Sequence, residues 1–316
     1  MPEQYYREHS GDLDRRLAEA LGPATTKSLE ERSGWRHAVV AVRHVALYVL
    51  VAYLLFRFDE PWIWVPLAAL QGVQILGFLI LLHEQTHGLL FARPHPRLER
   101  MLGILYALPA AISASQFARW HLDHHRELGS AAGDPKRAHL TPKIVARWFK
   151  LLYFTPCLFA IYTRASARAA RAYSPELRRT IAWERLLALA VHGGLAWALS
   201  TQGLDVVLRV WAAPLFLFFP PAFVINRLGQ HYDIDPSRVE AWSTRVDGNP
   251  LIRYFFLWSN HHIEHHYFPA VPFYRLPALN RALGPFFAAN RIPDRGYLSL
   301  LWGWLGENRT PHTRWR

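Results

Sequence analysis

The chain has 316 residues, of which 51% are hydrophobic, and it carries 13 tryptophans and a formal net charge of +12. Its single cysteine, Cys157, excludes an internal disulfide, a thiolate metal site within one chain and an iron–sulfur cluster. Basic chains often bind nucleic acid. Here the arginines flank long apolar runs, so we expect the charge to face anionic membrane lipids and expect no nucleic-acid partner.

The first third of the chain predicts a transmembrane hairpin. Residues 1–37 are expected to form a polar cytosolic segment, with a short amphipathic helix over residues 12–21. Apolar runs follow at residues 38–58 and 62–82, joined by the tight turn 59–61. About 20 residues of helix, at roughly 1.5 Å each, cross about 30 Å of hydrocarbon. Each run is therefore long enough to span a membrane.

The middle of the chain has softer apolar stretches. Residues 101–118 include Pro109 and several polar side chains, so we predict a partly inserted or re-entrant segment that is buried against protein. The loop 129–135 has a turn-forming sequence. Residues 148–162 are apolar but short, which predicts an interfacial or tilted helix.

A second pair of apolar runs, at residues 181–200 and 206–225, predicts the third and fourth spans. The fourth run contains three prolines and is expected to be kinked. His192 lies within the third run, and we expect it to pack against a neighbouring helix. Arg209, near a span end, is expected to extend to the membrane interface.

Lysine and arginine placement predicts the orientation. They are concentrated near both termini and between the two hairpins, whereas the hairpin turns 59–61 and 201–205 contain none. Both termini and every histidine cluster are therefore expected on the cytoplasmic side. We predict an all-α integral membrane protein, with four transmembrane helices in two hairpins within residues 38–279. We also predict a cytosolic helical cap that holds a histidine-rich dimetal site, and a cytosolic tail over residues 280–316.

Clustered histidines indicate the chemistry. Three segments carry them at i/i+3/i+4 spacings, which place the side chains on one face of a helix. Neutral imidazole suits zinc, iron, copper or nickel, and the number of imidazoles exceeds what one metal needs. The clustered residues, ten of the chain's 17 histidines, are His83, His87, His121, His124, His125, His231, His261, His262, His265 and His266.

The first cluster has two interpretations. Residues 83–87 match H-E-x-x-H, the zinc-hydrolase helix in which the glutamate acts as base. Such a site needs only three protein ligands and a water, so the surplus of histidines favours two metals. Glu84 is then expected to bond to the outer nitrogen of a ligand. Asp123 and Glu264 are interleaved with the ligands, and we expect them either to do the same or to be solvated charges.

The order of the motifs carries a resemblance. H-x-x-x-H begins at His83 and H-x-x-H-H begins at His121 and again at His262, the last within SNHHIEHHYFPAVPFYRLP, residues 259–277. Together they resemble the membrane fatty acid desaturase superfamily, from the second span to about Leu279. The resemblance implies a mushroom-shaped helical fold with four spans and a cytosolic di-iron cap.

The resemblance also implies the site residues. A histidine shortly after the last span matches His231, and Asn226 is a candidate for holding a metal-bound water. His261 falls outside the motif and is expected to be an outer partner, as are Glu84 and Glu264. The implied metal ligands are His83, His87, His121, His124, His125, His231, His262, His265 and His266.

The implied activity is O₂-dependent oxidation of an unactivated C–H bond by two iron ions. Desaturation of a fatty acyl chain, in a lipid or an acyl thioester, is favoured because residues 271–277 resemble acyl-lipid desaturases more than carotenoid ketolases. The alternatives are a lipid or carotenoid hydroxylase or ketolase and, from another class, a zinc intramembrane metalloprotease. An external ferredoxin or cytochrome b5-like protein is expected to donate electrons. The acyl channel is expected to include Trp148, Phe149, Phe255 and Phe256.

Overall fold

The computed structural model describes residues 5–130, 133–142, 144–235 and 237–309. Throughout these ranges the regular structure is helical and there is no β-strand. One isolated bridge pairs Arg245 with Asp294. The prediction of an all-α protein is confirmed.

The α-helices are numbered in chain order. A π-helical segment, Leu208–Phe218, joins α10 to α11, so that Leu204–His231 runs as one long helix. The bounds are α1 Tyr5–Leu21, α2 Pro23–Glu30, α3 Gly34–Arg57, α4 Pro61–Thr86, α5 Pro96–Ala107, α6 Ala114–Arg126, α7 Arg147–Leu151, α8 Cys157–Ala169, α9 Pro175–Ser200, α10 Leu204–Val207, α11 Phe219–His231, α12 Pro250–Phe255, α13 His262–Tyr267, α14 Leu276–Ala282, α15 Gly284–Ala289 and α16 Tyr297–Leu301.

Helix α4 is the central element. It packs against α3, α5, α6, α11 and the π-helical segment. In α4, 67% of the most apolar window is buried, compared with 28% in α3, so α4 is the inner helix of this pair. Its glycines allow the close approach: a Cβ on Gly77 would lie 2.3 Å from the ring of His44, and one on Gly72 would lie 2.6 Å from the backbone of Phe218.

Three helices are long and apolar enough to cross a membrane: α3, α4 and Leu204–His231. They contain the predicted runs 38–58, 62–82 and 206–225. The remaining predicted run, 181–200, lies in α9, which is helical throughout. Helix α9 is not among the three, because Glu184 and Arg185 lower the mean hydropathy of its apolar stretch. A bent pair of helices is a further candidate span.

This bent pair includes the segment predicted to be re-entrant. Its arms, Pro96–Ala110 and Ala114–Arg126, meet at 96°, which is the geometry of a broken span or a re-entrant loop. The chain turns at Ala111, whose φ of 54° is left-handed. Glu184 of α9 accepts hydrogen bonds from the Ser113 hydroxyl at 2.6 Å and from the Ser115 amide at 2.9 Å. Helix α9 therefore holds the bend from which α6 begins.

One local prediction is wrong. Residues 148–162 do not form one helix, because α7 ends in a 3₁₀ turn, Leu152–Phe154, and α8 begins only after Pro156. A proline disfavours helical backbone in the residue before it, here Thr155, whose ψ is 174°. Arg209 is buried, donates 2.8 Å to the carbonyl of Leu55 and pairs with the exposed Asp205, which ties the end of α3 to the π-helical segment. Its extension to the membrane interface stays a prediction.

Both ends of the chain contribute to the packing. On α1, Leu13 and Leu17 are buried in the main hydrophobic core. Residues 280–309, predicted as part of a cytosolic tail, add buried side chains that include Trp304. Lys150 is fully buried and donates 2.7 Å to the carbonyl of Trp304. The packing therefore does not change at the predicted boundaries, residues 37 and 279.

Candidate metal centre

The nine predicted ligands converge in two adjacent groups. Within each group, the candidate ligand nitrogens all lie within 4.8 Å of one another. The groups are in contact, since the rings of His125 and His266 stack at 4.3 Å. The five-histidine group is His83, His87, His121, His125 and His265, and the four-histidine group is His124, His231, His262 and His266.

Helices α6 and α13 supply both groups in a reciprocal pattern. On α6, the i/i+4 pair His121 and His125 enters the five-histidine group, and His124 enters the other. On α13, the i/i+4 pair belongs to the four-histidine group, and His265 crosses to the five-histidine group. The end of α4 and the end of α11 complete the two sets. The repeated H-x-x-H-H spacing thus builds two sites rather than one.

The nitrogen geometry fits metal ions. Nε2 of His231 lies 2.9 Å from that of His124 and 3.1 Å from those of His262 and His266. A neutral imidazole nitrogen carries either one proton or one lone pair, so it makes one hydrogen bond. Three neighbours around one nitrogen cannot all be satisfied in that way, whereas a central cation accepts a lone pair from each. Nε2 of His265 likewise lies 3.0 Å from Nε2 of His83 and from Nε2 of His125, one neighbour more than a single hydrogen bond can satisfy.

Burial keeps these imidazoles in the form that binds metal. Burial first, and then the neighbouring imidazoles, lower the pKa values of His262, His265 and His266 well below the usual value for histidine. Neutral imidazole is the metal-binding species. The donor set contains no carboxylate and no thiolate, a composition that suits iron, zinc, copper or nickel.

Outer hydrogen bonds orient several ligands. Nδ1 of His124 donates to Asp134 over 3.0 Å, and Nδ1 of His231 donates to the carbonyl of Trp242 over 2.9 Å. Nδ1 of His83 lies 3.4 Å from the Glu84 carboxylate. A proton held at Nδ1 leaves the lone pair of Nε2 free to bind a metal ion.

Asp134 is the site residue that sequence reasoning missed. It is 1% exposed, and its carboxylate also accepts the backbone N–H of Lys136 at 2.9 Å and that of Gly129 at 3.3 Å. It lies in the loop identified only as turn-forming sequence. The available signal is a carboxylate shortly after an H-x-x-H-H motif, next to a cluster that needs acceptors for its outer N–H groups.

The Asp123 carboxylate bonds to arginines rather than to a candidate histidine ligand. Its carboxylate pairs with Arg119 at 2.7 Å and with Arg126 at 2.6 Å, along the outer side of α6. Neither expectation for Asp123 holds, because its carboxylate pairs with arginines rather than with a histidine and the residue is buried rather than solvated. Adjacent residues on a helix point about 100° apart, so proximity in sequence to His124 is not proximity in space.

Glu84 lies beside His83 and borders a small cavity at the histidines. One carboxylate oxygen accepts the backbone N–H of Phe273 at 2.9 Å, the other lies near the outer nitrogen of His83, and Glu84 belongs to neither histidine group. A zinc hydrolase uses three protein ligands and a water, whereas nine histidines gather here in two groups. The donor set therefore disfavours the H-E-x-x-H protease interpretation.

The remaining predicted outer residues surround α13. His261 is fully buried outside both groups, and its Nδ1 lies 3.4 Å from Glu264, which also accepts from Asn280. Asn226 donates to the hydroxyl of Ser259 at 2.6 Å and accepts from Gln230. Asn226 and His261 line the same small cavity at the histidines.

Two adjoining cavities lead to the histidines. The first, named the metal cavity, has a volume of about 90 Å³ and is bordered by His83, His121, His262 and His265. The second, named the apolar cavity, is about 300 Å³. Four residues border both cavities and form their common wall: Leu79, Phe117, Tyr162 and Phe223.

The apolar cavity differs from the predicted channel. It lies among α6, α8, α9 and α11, and neither cavity is lined by Trp148, Phe149, Phe255 or Phe256. Phe117 separates it from the metal cavity and stacks on His121, with ring centroids 6.0 Å apart and planes 7° apart. An apolar chain in this cavity would therefore point toward the histidines.

Comparisons with known proteins agree with this site. Over about 79% of its length the chain is 26% identical to a sphingolipid delta(4)-desaturase of Drosophila melanogaster, covering 74% of that protein. It is 22% identical to a chloroplastic omega-3 fatty acid desaturase of Glycine max, covering 86% of this chain and 66% of that one. It is 26% identical to a beta-carotene ketolase of Paracoccus sp. (strain PC1), covering 78% and 91%.

The family assignment extends over most of the chain. The fatty acid desaturase family model matches residues 59–297, which include all nine clustered ligands, the bent pair and both cavities. The motifs that carried the resemblance in the sequence lie at the centre of this match. The chain belongs to the fatty acid desaturase family.

Proposed function

We propose that this protein is an O₂-dependent di-iron oxidoreductase that introduces a double bond into a fatty acyl chain, carried by a lipid or an acyl thioester. The observation that carries the proposal is the pair of histidine groups beside an apolar cavity. Membership of the family supports an oxidoreductase that acts on lipids in membranes.

The two histidine groups would each hold one iron ion. Bound iron supplies O₂ activation and the removal of hydrogen from unactivated C–H bonds. The chain's own residues do the rest: Asp134 and the Trp242 carbonyl hold protons on the outer nitrogens of His124 and His231. Phe117 and Phe223 form part of the apolar wall between the metal cavity and the apolar cavity.

The position of the substrate's acyl chain decides which product forms. Removal of a second hydrogen gives a double bond, whereas transfer of oxygen to the carbon gives an alcohol. Differences of about 1 Å in the placement of reacting atoms change such rates by roughly a hundredfold. The common wall of the two cavities fixes where a substrate carbon meets the metal cavity, so Leu79, Phe117, Tyr162 and Phe223 are the residues that set this placement.

A second candidate is hydroxylation or ketone formation on a lipid or carotenoid. The similarity to a beta-carotene ketolase favours keeping it. The two outcomes differ in the fate of oxygen, because desaturation releases both oxygen atoms as water and hydroxylation leaves one in the product. Labelled ¹⁸O₂ distinguishes them: a product without label supports desaturation.

Electrons must come from a partner. Reduction of O₂ to water takes four electrons, of which the substrate C–H bonds supply two. We propose that a ferredoxin or cytochrome b5-like donor supplies the other two at the basic cytoplasmic face. Four spans are also part of the proposal, with α9 as the third. Helix α9 exposes Trp183, Leu189 and Trp197, as expected for a helix that faces lipid.

The experiment compares acyl chains in cells that express the wild type, His262→Ala or His95→Ala. His262 belongs to the four-histidine group, whereas His95 is exposed and belongs to neither group. We expect a new double bond with the wild type and with His95→Ala, and none with His262→Ala. Full activity of His262→Ala contradicts the assignment, as does a wild type that gives no oxidised lipid when supplied with O₂ and a reductant.

A further inference from the structure

The apolar cavity opens beside α8 and α9. Three of its lining residues, Ala111, Thr163 and Leu189, are exposed, and Leu189 is 71% exposed. At the other end lies the common wall with the metal cavity. The opening is on the side where α9 presents its apolar side chains, so a lipid can enter it from the bilayer.

A cationic side chain lies in the wall of this cavity. Nη2 of Arg185 donates to the amide oxygen of Gln116 and to the hydroxyl of Ser166, both of which are neutral. Gln116 is itself held, since its Nε2 donates 2.9 Å to the carbonyl of Ser166. Of the five N–H donors of a guanidinium, those on Nε and Nη1 remain. Among the residues that the structure describes, Arg185 has no further hydrogen bond and no ion pair.

The adjacent carboxylate, Glu184, forms no ion pair with Arg185. Its carboxylate instead accepts hydrogen bonds from Ser113 and Ser115 at the start of α6. Arg185 is partly buried, so part of its guanidinium is withdrawn from water in a largely apolar wall without an ion pair, which costs free energy. An anionic group on a ligand would remove that cost and use the remaining N–H donors.

Other exposed arginines lie close in sequence to the residues at the opening. Thr163 at the opening is followed on α8 by exposed arginines, and the first turns of α9 carry two more. Such a surface concentrates anionic lipids near the membrane. The exposed arginines are Arg164, Arg168, Arg171, Arg178 and Arg179.

We propose that Arg185 binds an anionic oxygen, a carboxylate or a phosphate, on the substrate lipid, whose apolar chain extends through the apolar cavity to the metal cavity. The proposal rests on the proposed function and deepens it by naming the substrate class. A cavity of about 150 Å³ holds a benzene ring, so one of about 300 Å³ holds on the order of a dozen carbons. Fixing the head of the lipid at Arg185 then sets which carbon meets the metal cavity.

Binding measurements test the proposal without turnover. The probes are radiolabelled hexadecanoate, hexadecyl phosphate and hexadecanol, added to the purified, metal-loaded protein in neutral detergent. We expect at least one anionic probe to bind about tenfold more tightly than the alcohol. Preference for the carboxylate points to an unesterified fatty acid, and preference for the phosphate points to a phospholipid.

Variants assign the preference to one residue. Arg185→Gln should weaken anionic binding about tenfold and leave hexadecanol binding unchanged. Arg185→Lys keeps the charge but not the planar pair of N–H donors, and it should give an intermediate preference. Arg97→Gln, an exposed arginine on α5, should behave as the wild type. Equal binding of alcohol and anions by the wild type overturns the proposal, even if Arg185→Gln fails to fold. So does an unchanged preference in Arg185→Gln.

The two proposals fail separately. Oxidation of lipid by a protein without anionic preference overturns only the role of Arg185. Anionic preference that depends on Arg185, in a protein that oxidises no lipid when supplied with O₂ and a reductant, overturns only the proposed function.

Discussion

Nδ1 of His124 lies 3.0 Å from the carboxylate of Asp134, and both side chains are almost completely buried. This contact joins a ligand on α6 to a loop that begins after the helix ends. The same carboxylate accepts backbone N–H groups from its own loop, so the loop conformation and the orientation of the ligand depend on each other.

Asp134→Asn should weaken metal binding at the four-histidine group. The amide can turn its N–H₂ toward His124 and no longer fixes the proton on Nδ1. Loss of such outer partners lowers metal affinity by roughly 10- to 100-fold. The measurement is retention of metal against a graded series of chelator concentrations. Asp123→Asn is the matched control, since that carboxylate pairs with surface arginines. Equal metal loss in both variants would contradict the role of Asp134.

Glu184→Gln should destabilise the bend before α6. Glu184 now accepts hydrogen bonds from the Ser113 hydroxyl and the Ser115 backbone N–H. In the variant an amide N–H₂, which is a donor, would take the place of one carboxylate oxygen. Hydrogen bonds to a charged group contribute about 1.5–3 kcal/mol each, so we expect a loss of about 2 kcal/mol or more. Thermal unfolding in detergent measures it. The exposed Glu19→Gln should change stability by less than about 0.5 kcal/mol. An unchanged unfolding midpoint in Glu184→Gln would rule out this anchoring role.

Ala188→Trp should block the apolar cavity. Ala188 is 3% exposed and lines that cavity without bordering the metal cavity. We expect lipid oxidation to fall at least about tenfold while metal content stays at the wild-type level. Ala190→Trp places the same side chain at an exposed position of α9 and should retain activity. Undiminished oxidation by Ala188→Trp would mean that the substrate chain lies elsewhere.

The convergence of the nine histidines could be predicted from the sequence because their spacing is local, whereas their ligation of metal stays a prediction. Spacings of three and four residues place side chains on one helical face whatever the surrounding fold. All nine candidates lie in the two groups. The sequence did not predict how they divide, since His124 and His265 each leave their helix neighbours to join the other group. That division depends on how α6 and α13 face each other.

The residues that the sequence misjudged depend on tertiary contacts. Asp123 is next to His124 in the chain and Asp134 is ten residues away, yet Asp134 makes the contact. Glu184 and Arg185 interrupt an apolar run. Composition alone cannot show whether such charges have partners inside the fold or mean that the run does not cross the membrane. Their partners lie on the bent segment, about 70 residues earlier.

The metal content of the purified protein tests the central claim most directly. Iron and zinc are measured per chain by elemental mass spectrometry. We expect about two iron ions per chain, one for each histidine group. If zinc is found at both positions, the protein is reconstituted with ferrous iron, and lipid oxidation should then appear. A single zinc ion per chain, or a protein that holds two irons and oxidises no lipid when supplied with O₂ and a reductant, would contradict the account.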